Sequence, residues 1–119
     1  MKEIVLNTKM KSEQKVDASK TAAAVGSGTA KVFATPMMIA LMENAALKCL
    51  DQFLDEGETS VGTYISTTHI AATPMEMDVY AIAEIVGADG RKIDFNVTAY
   101  DKCGVIGEAK HSRVVVYGE

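Results

Sequence analysis

The sequence contains few of the residues that build metal sites and disulfide frameworks. Its 119 residues include two cysteines, Cys49 and Cys103, and two histidines, His69 and His111. The cysteines have neither the spacing of a metal site nor the number of a disulfide scaffold, and two histidines are too few for a multi-ligand zinc site. We therefore expect free thiols in a reducing compartment and no bound metal.

Positive charge and long apolar runs are also scarce. The chain has 12 Lys and Arg residues against 16 Asp and Glu residues, a formal net charge of −4, and no basic stripe with interleaved aromatics, which argues against nucleic-acid binding. The N-terminus lacks the apolar core of a signal peptide. Glu43 and Lys48 interrupt the longest apolar stretch well before the roughly 20 residues that span a bilayer. We expect a cytoplasmic protein without nucleic-acid or membrane partners.

The most distinctive segment is a predicted helix within VFATPMMIALMENAALKCLDQFL, residues 32–54. Thr35 is a good N-cap and Pro36 suits the first helical position. The N-terminal half of this helix is apolar nearly all round, which is typical of a helix enclosed by other structure. A buried, unpaired charge would be costly there, so we expect Glu43 to be paired, partly protonated or open to a cleft.

Strand patterns lie on both sides of this helix. Residues 11–16 are a polar strand candidate, and the Ala- and Gly-rich run after them predicts a mobile loop or flap. Four further strands follow the helix, and the turn signals ADG and DKCG join the last three into an antiparallel meander. Alternation predicts the inward residues of these three strands: Met75, Met77, Val79, Ala81, Ala83 and Ile85; Ile93, Phe95, Val97 and Ala99; and Val105, Gly107, Ala109, His111, Arg113, Val115 and Tyr117.

The helix and the strands have matching lengths. About 19 helical residues rise roughly 28 Å, and the long strands extend about 30 Å or more. Wrapping the apolar face of the sheet around the helix satisfies both, which predicts an α+β domain of the hotdog type. A chain of 119 residues is expected to form this single domain, residues 1–119, and the edge strands of such a sheet are suited to dimerisation.

Three residues are candidates for chemistry. Glu43 is an ionisable group under strain, although it could simply pair with a lysine on a less enclosed helix. Thr35 has a plain role as a cap, yet the free N–H groups of that helix end also suit an oxyanion. A lone histidine such as His69, at the end of a strand, is more often structural than a base. About 12 Å of helical rise separates Thr35 from Glu43, so a substrate bridges them, the helix starts irregularly, or two subunits share the site.

Three stretches of the chain resemble the hotdog-fold acyl-CoA thioesterases, in particular their fluoroacetyl-CoA thioesterase-like branch. They are VFATPMMIALMENAA, VGTYISTTHIAATP and GRKIDFNVTAYDKCGVIGEAKHSRVVV. The resemblance implies hydrolysis of an acyl-CoA thioester to a free acid and CoA at a dimer-interface site, with no cofactor because CoA is part of the substrate. It implies a catalytic set of Thr35, Glu43 and His69, with Glu43 as nucleophile or as general base for water.

Three more residues are predicted to contact the substrate. Backbone N–H groups at a turn containing Gly62 could polarise the thioester carbonyl, and Arg113 could hold the CoA phosphates or the dimer edge. Phe33 is the only aromatic residue in the region where the fluoroacetyl-CoA enzyme has an aromatic lid, so fluoroacetyl specificity is not carried over from the resemblance, and we expect a short or medium acyl group. A homodimer is expected, and pairing into tetramers is left open. The alternatives are a noncatalytic acyl-CoA sensor and a hotdog enoyl-CoA hydratase, whose usual Asp/His pair is not apparent.

Overall fold

A computed structural model describes residues 1–118, which form five strands, one long α-helix, one short α-helix and a 3₁₀ turn at Ala18–Lys20. The strands are β1 (Lys9–Lys15), β2 (Glu58–His69), β3 (Asp78–Asp89), β4 (Lys92–Asp101) and β5 (Gly104–Tyr117), and the helices are α1 (Ala22–Val25) and α2 (Thr35–Asp51). All strand pairs are antiparallel, in the order β1-β3-β4-β5-β2. Because α2 packs its apolar stripe on this sheet, the arrangement is the α+β hotdog that the sequence predicts.

The predicted inward faces are correct for β3 and β4 and partly wrong for β5. The alternating residues from Val79 to Ile85 and from Ile93 to Ala99 are buried. Met75 and Met77 precede β3, and Met75 is exposed while Met77 is only partly buried. In β5, Ala99 pairs with Gly107 and Tyr100 pairs with Val105, which leaves Ile106 in a bulge. The bulge reverses the alternation, so Ile106 is buried and Val105 faces solvent. Tyr117 is also exposed, and its ring lies beneath the Arg91 guanidinium.

The helix α2 is less enclosed than its sequence predicts. Its buried residues recur at helical spacing and form one stripe against the sheet: Met38, Leu41, Met42, Ala45, Ala46, Cys49 and Leu50. On the opposite side Ala40 is exposed and Glu43 is half-buried, because in one chain the sheet covers a single side of the helix. The helix ends at Asp51, where tighter turns continue to Leu54. Among residues 1–118, no helix is both long enough and apolar enough to cross a bilayer.

The Ala- and Gly-rich segment after β1, which the sequence predicts as a mobile loop or flap, is only partly a loop, because it contains the short helix α1. Thr21 Oγ1 accepts a hydrogen bond from Ala24 N at 3.2 Å and caps α1. Gly26 ends this helix with a φ of 79°, in the left-handed region where glycine is favoured. An antiparallel bridge joins Thr21 to Phe33. The segment is therefore tied to the chain that enters α2.

Candidate active site

Thr35 and His69 meet at the N-terminal end of α2. Thr35 Oγ1 lies 2.7 Å from His69 Nδ1. Thr35 is the first residue of the helix, and the N-cap is Ala34, which makes no side-chain capping bond. The prediction that Thr35 caps the helix is therefore wrong. Because its hydroxyl is not used for capping, it is free to pair with the imidazole.

The loop after β2 holds the entry to α2 beside His69, the last residue of β2. Phe33 N donates a hydrogen bond to Thr73 O at 2.8 Å. Thr73 is itself buried, and its Oγ1 donates to Asp101 Oδ2 at 2.8 Å. Asp101 in turn accepts from Cys103 N at the β4–β5 turn. This chain of bonds fixes the short distance between the hydroxyl and the imidazole.

The second ring nitrogen of His69 is unpaired. Nε2 is buried and has no hydrogen-bond partner among residues 1–118, a situation that is costly and uncommon in folded proteins. Burial lowers the pKa of His69 below 6.5, and the backbone of Ala71 opposes this shift. A neutral imidazole with Nδ1 against a hydroxyl can accept its proton.

A cavity of about 300 Å³ opens beside this pair. Its described lining is uncharged apart from the titratable His69 and consists of Ala22, Ser27, Val32, Phe33, Thr35, His69, Ile70, Ala71 and Ala72. Phe33, which the sequence predicts as a substrate contact, contributes to this lining although its side chain is only 1% exposed. A larger groove of about 480 Å³ between β2, β4 and β5 contains none of the predicted site residues. The smaller cavity is therefore the one that suits an uncharged acyl group.

Glu43, Gly62 and Arg113 lie together in a second cluster, with His111. A Cβ built on Gly62 would stand 3.1 Å from Glu43 Oε2, 3.2 Å from His111 Cε1 and 3.5 Å from Arg113 Nη1. Gly62 lies within β2, next to a bulge between Gly62 and Tyr64, and not in the turn that the sequence predicts. The missing side chain leaves room for the carboxylate.

Arg113 is held inside this cluster by three contacts. Its Nε donates to Ser60 Oγ at 2.9 Å, its Nη2 donates to Ser60 O at 3.0 Å, and its Nη1 lies 3.2 Å from His111 Nε2. The residue is 7% exposed. Burial lowers the pKa of Arg113, and the carboxylates of Glu43 and Asp51 oppose this shift. Sequence reasoning gave no role to Ser60 and placed His111 among the inward residues of the last strand. The contacts of both residues with Arg113 could not be predicted, because strand pairing across the sheet brings them together.

The two clusters are separate within one chain. The helix α2 is regular from Thr35 onward, which rules out an irregular start that would bring Glu43 nearer. The lining of the cavity beside Thr35 includes neither Glu43 nor Arg113. Two of the three geometries considered from the sequence remain, namely a bridging substrate and a site shared by two subunits.

Comparison with known proteins relates this chain to a family of enzymes. The sequence model of the fluoroacetyl-CoA-specific thioesterases matches residues 16–119. The chain belongs to this family. It is 40% identical over 89 residues to the fluoroacetyl-CoA thioesterase of Streptantibioticus cattleyicolor, and the alignment covers 75% of this chain and 64% of that relative. The chain therefore matches slightly less than two thirds of the relative's length.

Solved structures agree with this family assignment. A structure of the fluoroacetyl-CoA thioesterase FlK superposes with a TM-score of 0.91 at 31% identity, covering 97% of this chain and 90% of FlK. A FlK variant in complex with fluoroacetate and CoA gives a TM-score of 0.90 at 32% identity, with 96% of each chain covered. A thioesterase superfamily member from Thermus thermophilus gives 0.91 at 28% identity, covering 98% and 87%. The resemblance and the hotdog fold predicted from the sequence are confirmed.

Proposed function

We propose that this protein is an acyl-CoA thioesterase that hydrolyses a short- or medium-chain acyl-CoA to a free acid and CoA. The observation that carries the proposal is the 2.7 Å contact between Thr35 Oγ1 and His69 Nδ1, at the wall of a cavity with uncharged neighbours. Membership in the fluoroacetyl-CoA-specific thioesterase family supports the reaction class. The FlK complex with fluoroacetate and CoA supports acyl-CoA as the substrate class.

Each predicted catalytic residue has a proposed role. His69 transfers the proton, because its lowered pKa keeps the ring neutral and a base must be unprotonated to act. Thr35 orients the thioester, with the free backbone N–H groups of the α2 N-terminus beside it to stabilise the oxyanion. Glu43 is the nucleophile or the general base for water. This chemistry uses protein groups alone, so the proposal includes no metal and no redox cofactor, and a chelator should leave turnover unchanged.

The acyl group is proposed to occupy the cavity beside Thr35. Ala22, Ala71 and Ala72 contribute small walls, and Phe33 contributes the aromatic surface. A volume of about 300 Å³ suits a short or medium acyl chain. Fluoroacetyl selectivity is not part of the proposal, since no other aromatic side chain lines this cavity in the described part of the chain.

We further propose a homodimer formed by the free edge of β2. The other edge strand, β1, carries Lys9, Lys11 and Lys15, the charges that typically protect an edge from pairing. β2 is a 12-residue edge strand without lysine, on which Val61 is 46% exposed and Tyr64 is 58% exposed. Light scattering after gel filtration should give a dimer mass. Tyr64→Arg should shift it to monomer while Lys11→Gln does not, and a monomeric wild type would contradict the proposal.

Such a dimer offers a reason for the separation of the two clusters. The proposed site combines Thr35, His69 and Phe33 of one protomer with Glu43, Gly62 and Arg113 of its partner, because one helix places Thr35 and Glu43 about 12 Å apart. Arg113 has three contacts inside its own chain. Its proposed role is therefore to place a positive charge at the subunit boundary, where it can face the substrate.

The proposal is tested by CoA release. A thiol reagent follows turnover across a panel from acetyl-CoA to long-chain acyl-CoA, with wild type, Thr35→Ala and Glu43→Gln measured together. Asn96→Ala is the control, because Asn96 is exposed on β4 in the larger groove and belongs neither to the site nor to the β2 edge. Turnover that is lost in the two site variants and kept in the control supports the thioesterase. Binding without turnover of any ester would instead indicate a noncatalytic acyl-CoA sensor.

A further inference from the structure

We propose that His111 is a positioning residue that, as a neutral imidazole, holds the Arg113 guanidinium apart from the Glu43 carboxylate. The inference rests on the proposed function in one respect, since it takes Glu43 to be part of the site. His111 itself is not among the residues that line the cavity beside Thr35. It acts through Arg113.

The hydrogen bonds of His111 require one tautomer. Nδ1 lies 2.7 Å from Tyr64 O, and a carbonyl oxygen only accepts, so Nδ1 carries the hydrogen. Nε2 lies 3.2 Å from Arg113 Nη1, and a guanidinium only donates, so Nε2 has a free lone pair. The side chain is 2% exposed, which leaves little room for water to replace either partner. Only the neutral Nδ1–H ring satisfies both bonds.

This ring and Ser60 fix the Arg113 guanidinium from both sides. Arg113 Nε and Nη2 are bound to Ser60, and Nη1 is directed to His111. Glu43 Oε2 and Arg113 Nη1 both lie within 3.5 Å of the position of a Gly62 Cβ. Nevertheless, within residues 1–118 no ion pair of 4.0 Å or less joins Glu43 to Arg113.

The Glu43 carboxylate and the Arg113 guanidinium both lie beside Gly62 and are partly buried, so their opposite charges attract strongly. If the bond to His111 were lost, we expect the guanidinium to close on the carboxylate in a charge-assisted pair. A carboxylate held in this way is a weaker base and nucleophile, because the pairing stabilises its negative charge and so lowers its affinity for a proton or an acyl carbon. His111 therefore keeps Glu43 available by holding Nη1 in its position, since the guanidinium must move before one of its remaining N–H groups can bind the carboxylate.

The surroundings of His111 favour the neutral ring. Burial lowers its pKa and Arg113 adds to this, whereas Tyr64 O and the Glu43 carboxylate oppose it. From β4, the neighbouring ring is Phe95, which is uncharged and 6.0 Å away between centroids. Asp51 of α2 acts on Arg113 rather than on the imidazole. Protonation would place an N–H of His111 against the N–H of Arg113 and break the contact.

The first test reads the tautomer directly and needs no turnover. The chain has two histidines, so ¹⁵N NMR of the ring nitrogens, with His69→Gln for assignment, resolves both. We expect His111 to show a protonated Nδ1 and a bare Nε2 at pH 7. An Nε2–H ring or a charged ring at pH 7 would overturn the proposal, even if the protein proved to be a thioesterase. Conversely, the expected tautomer would stand if no ester were hydrolysed.

The second test is a double-mutant cycle on CoA release. His111→Phe should lower kcat about tenfold with KM little changed, because masking Glu43 removes a group that acts on bound substrate. Added to Arg113→Met, the same change should cost less than about twofold, since no guanidinium remains to be held. Equal losses in both backgrounds would contradict the proposal.

Two more variants separate positioning from simple disruption of β5. His111→Gln offers one donor and one acceptor and should recover most of the kcat lost in His111→Phe. Ser112→Ala is the matched control on the same strand, because Ser112 Oγ donates to Asp94 Oδ1 at 2.7 Å, away from Glu43. It should leave kcat unchanged. If His111→Phe fails to fold, the His111→Gln variant and the ring tautomer still test the proposal. A kcat of His111→Gln as low as that of Arg113→Met would count against it.

Discussion

Replacing Gly62 by alanine introduces one methyl group between Glu43, His111 and Arg113. The new Cβ would stand 3.1 Å from Glu43 Oε2 and 3.2 Å from His111 Cε1, so these groups must move by a few tenths of an ångström. The end of a glutamate side chain moves easily, and the lost flexibility of the unfolded chain returns about 0.4–1 kcal/mol. We therefore expect the free energy of unfolding to change by less than about 1 kcal/mol.

Activity should respond more than stability. A displacement of about 1 Å can cost about a hundredfold in rate, so a shift of a few tenths predicts a loss of about three- to tenfold in kcat. The assay is CoA release under saturating substrate, combined with urea unfolding of the same sample. Unchanged kcat in Gly62→Ala would refute the idea that the space beside Gly62 serves the Glu43 carboxylate.

Two other glycines provide matched controls. At Gly87 the nearest atom to a new Cβ is Asp94 Oδ2 at 3.3 Å, the end of a partly exposed side chain, so Gly87→Ala should leave kcat unchanged and change the free energy of unfolding by less than about 1 kcal/mol. At Gly107 a Cβ would collide with Thr68 O and stand 2.8 Å from Met38 Sδ. Gly107→Ala should therefore lower the free energy of unfolding by about 1–3 kcal/mol or more. If Gly62→Ala destabilised the protein as much as Gly107→Ala, the contact geometry at Gly62 would be wrong.

Four further predictions concern Thr35, the two histidines and Thr73. Thr35→Ala should reduce kcat/KM about a hundredfold while changing the free energy of unfolding by less than about 0.5 kcal/mol. Thr35→Ser should retain most of the activity. A large loss of stability of Thr35→Ala in urea would show that the hydroxyl does cap the helix. Because burial lowers the pKa of His69 below 6.5, kcat/KM should hold down to pH 6.5 and fall below it, and a decline beginning above pH 6.5 would contradict a lowered pKa. The pKa of His111 is lowered as well, so the unfolded chain binds more protons than the folded protein below pH 6.5. The free energy of unfolding should therefore decrease as the pH is lowered through that range. Urea titrations at several pH values measure this. Thr73→Val removes the donor to the buried Asp101 carboxylate and should cost about 1–3 kcal/mol; an unchanged melting curve would show that this bond contributes little.

The order of the strands along the chain and most of the core could be predicted because they depend on local alternation. The inward residues of β3 and β4 follow a period of two and are buried as expected. The error at Val105 comes from the bulge at Ile106, which depends on how β4 and β5 align and has no signal in the alternation. Likewise, a Thr-Pro pair at a helix start looks the same whether the threonine caps the helix or follows the cap.

The candidate site was harder to predict because its parts are joined across the sheet. Thr35 and His69 could be singled out individually, but their contact depends on the bonds of the loop after β2. The neighbours of Glu43 come from β2 and β5, where the pairing of Gly62 with Arg113 sets the geometry. A residue pattern along one strand shows which side chains share a face, and it does not show which side chains of another strand they contact.

The most direct measurement mixes two inactive variants. Thr35→Ala and Glu43→Gln homodimers should each keep about 1% or less of wild-type CoA release. Subunits of both, unfolded and refolded together, should regain about a quarter of wild-type CoA release. That fraction is expected because half of randomly paired dimers are mixed, and one of the two sites in each mixed dimer keeps both residues. Recovery near this value would establish a site shared between protomers with Thr35 and Glu43 both essential. Turnover by the Glu43→Gln homodimer well above that residual level, or no recovery in the refolded mixture, would contradict the account.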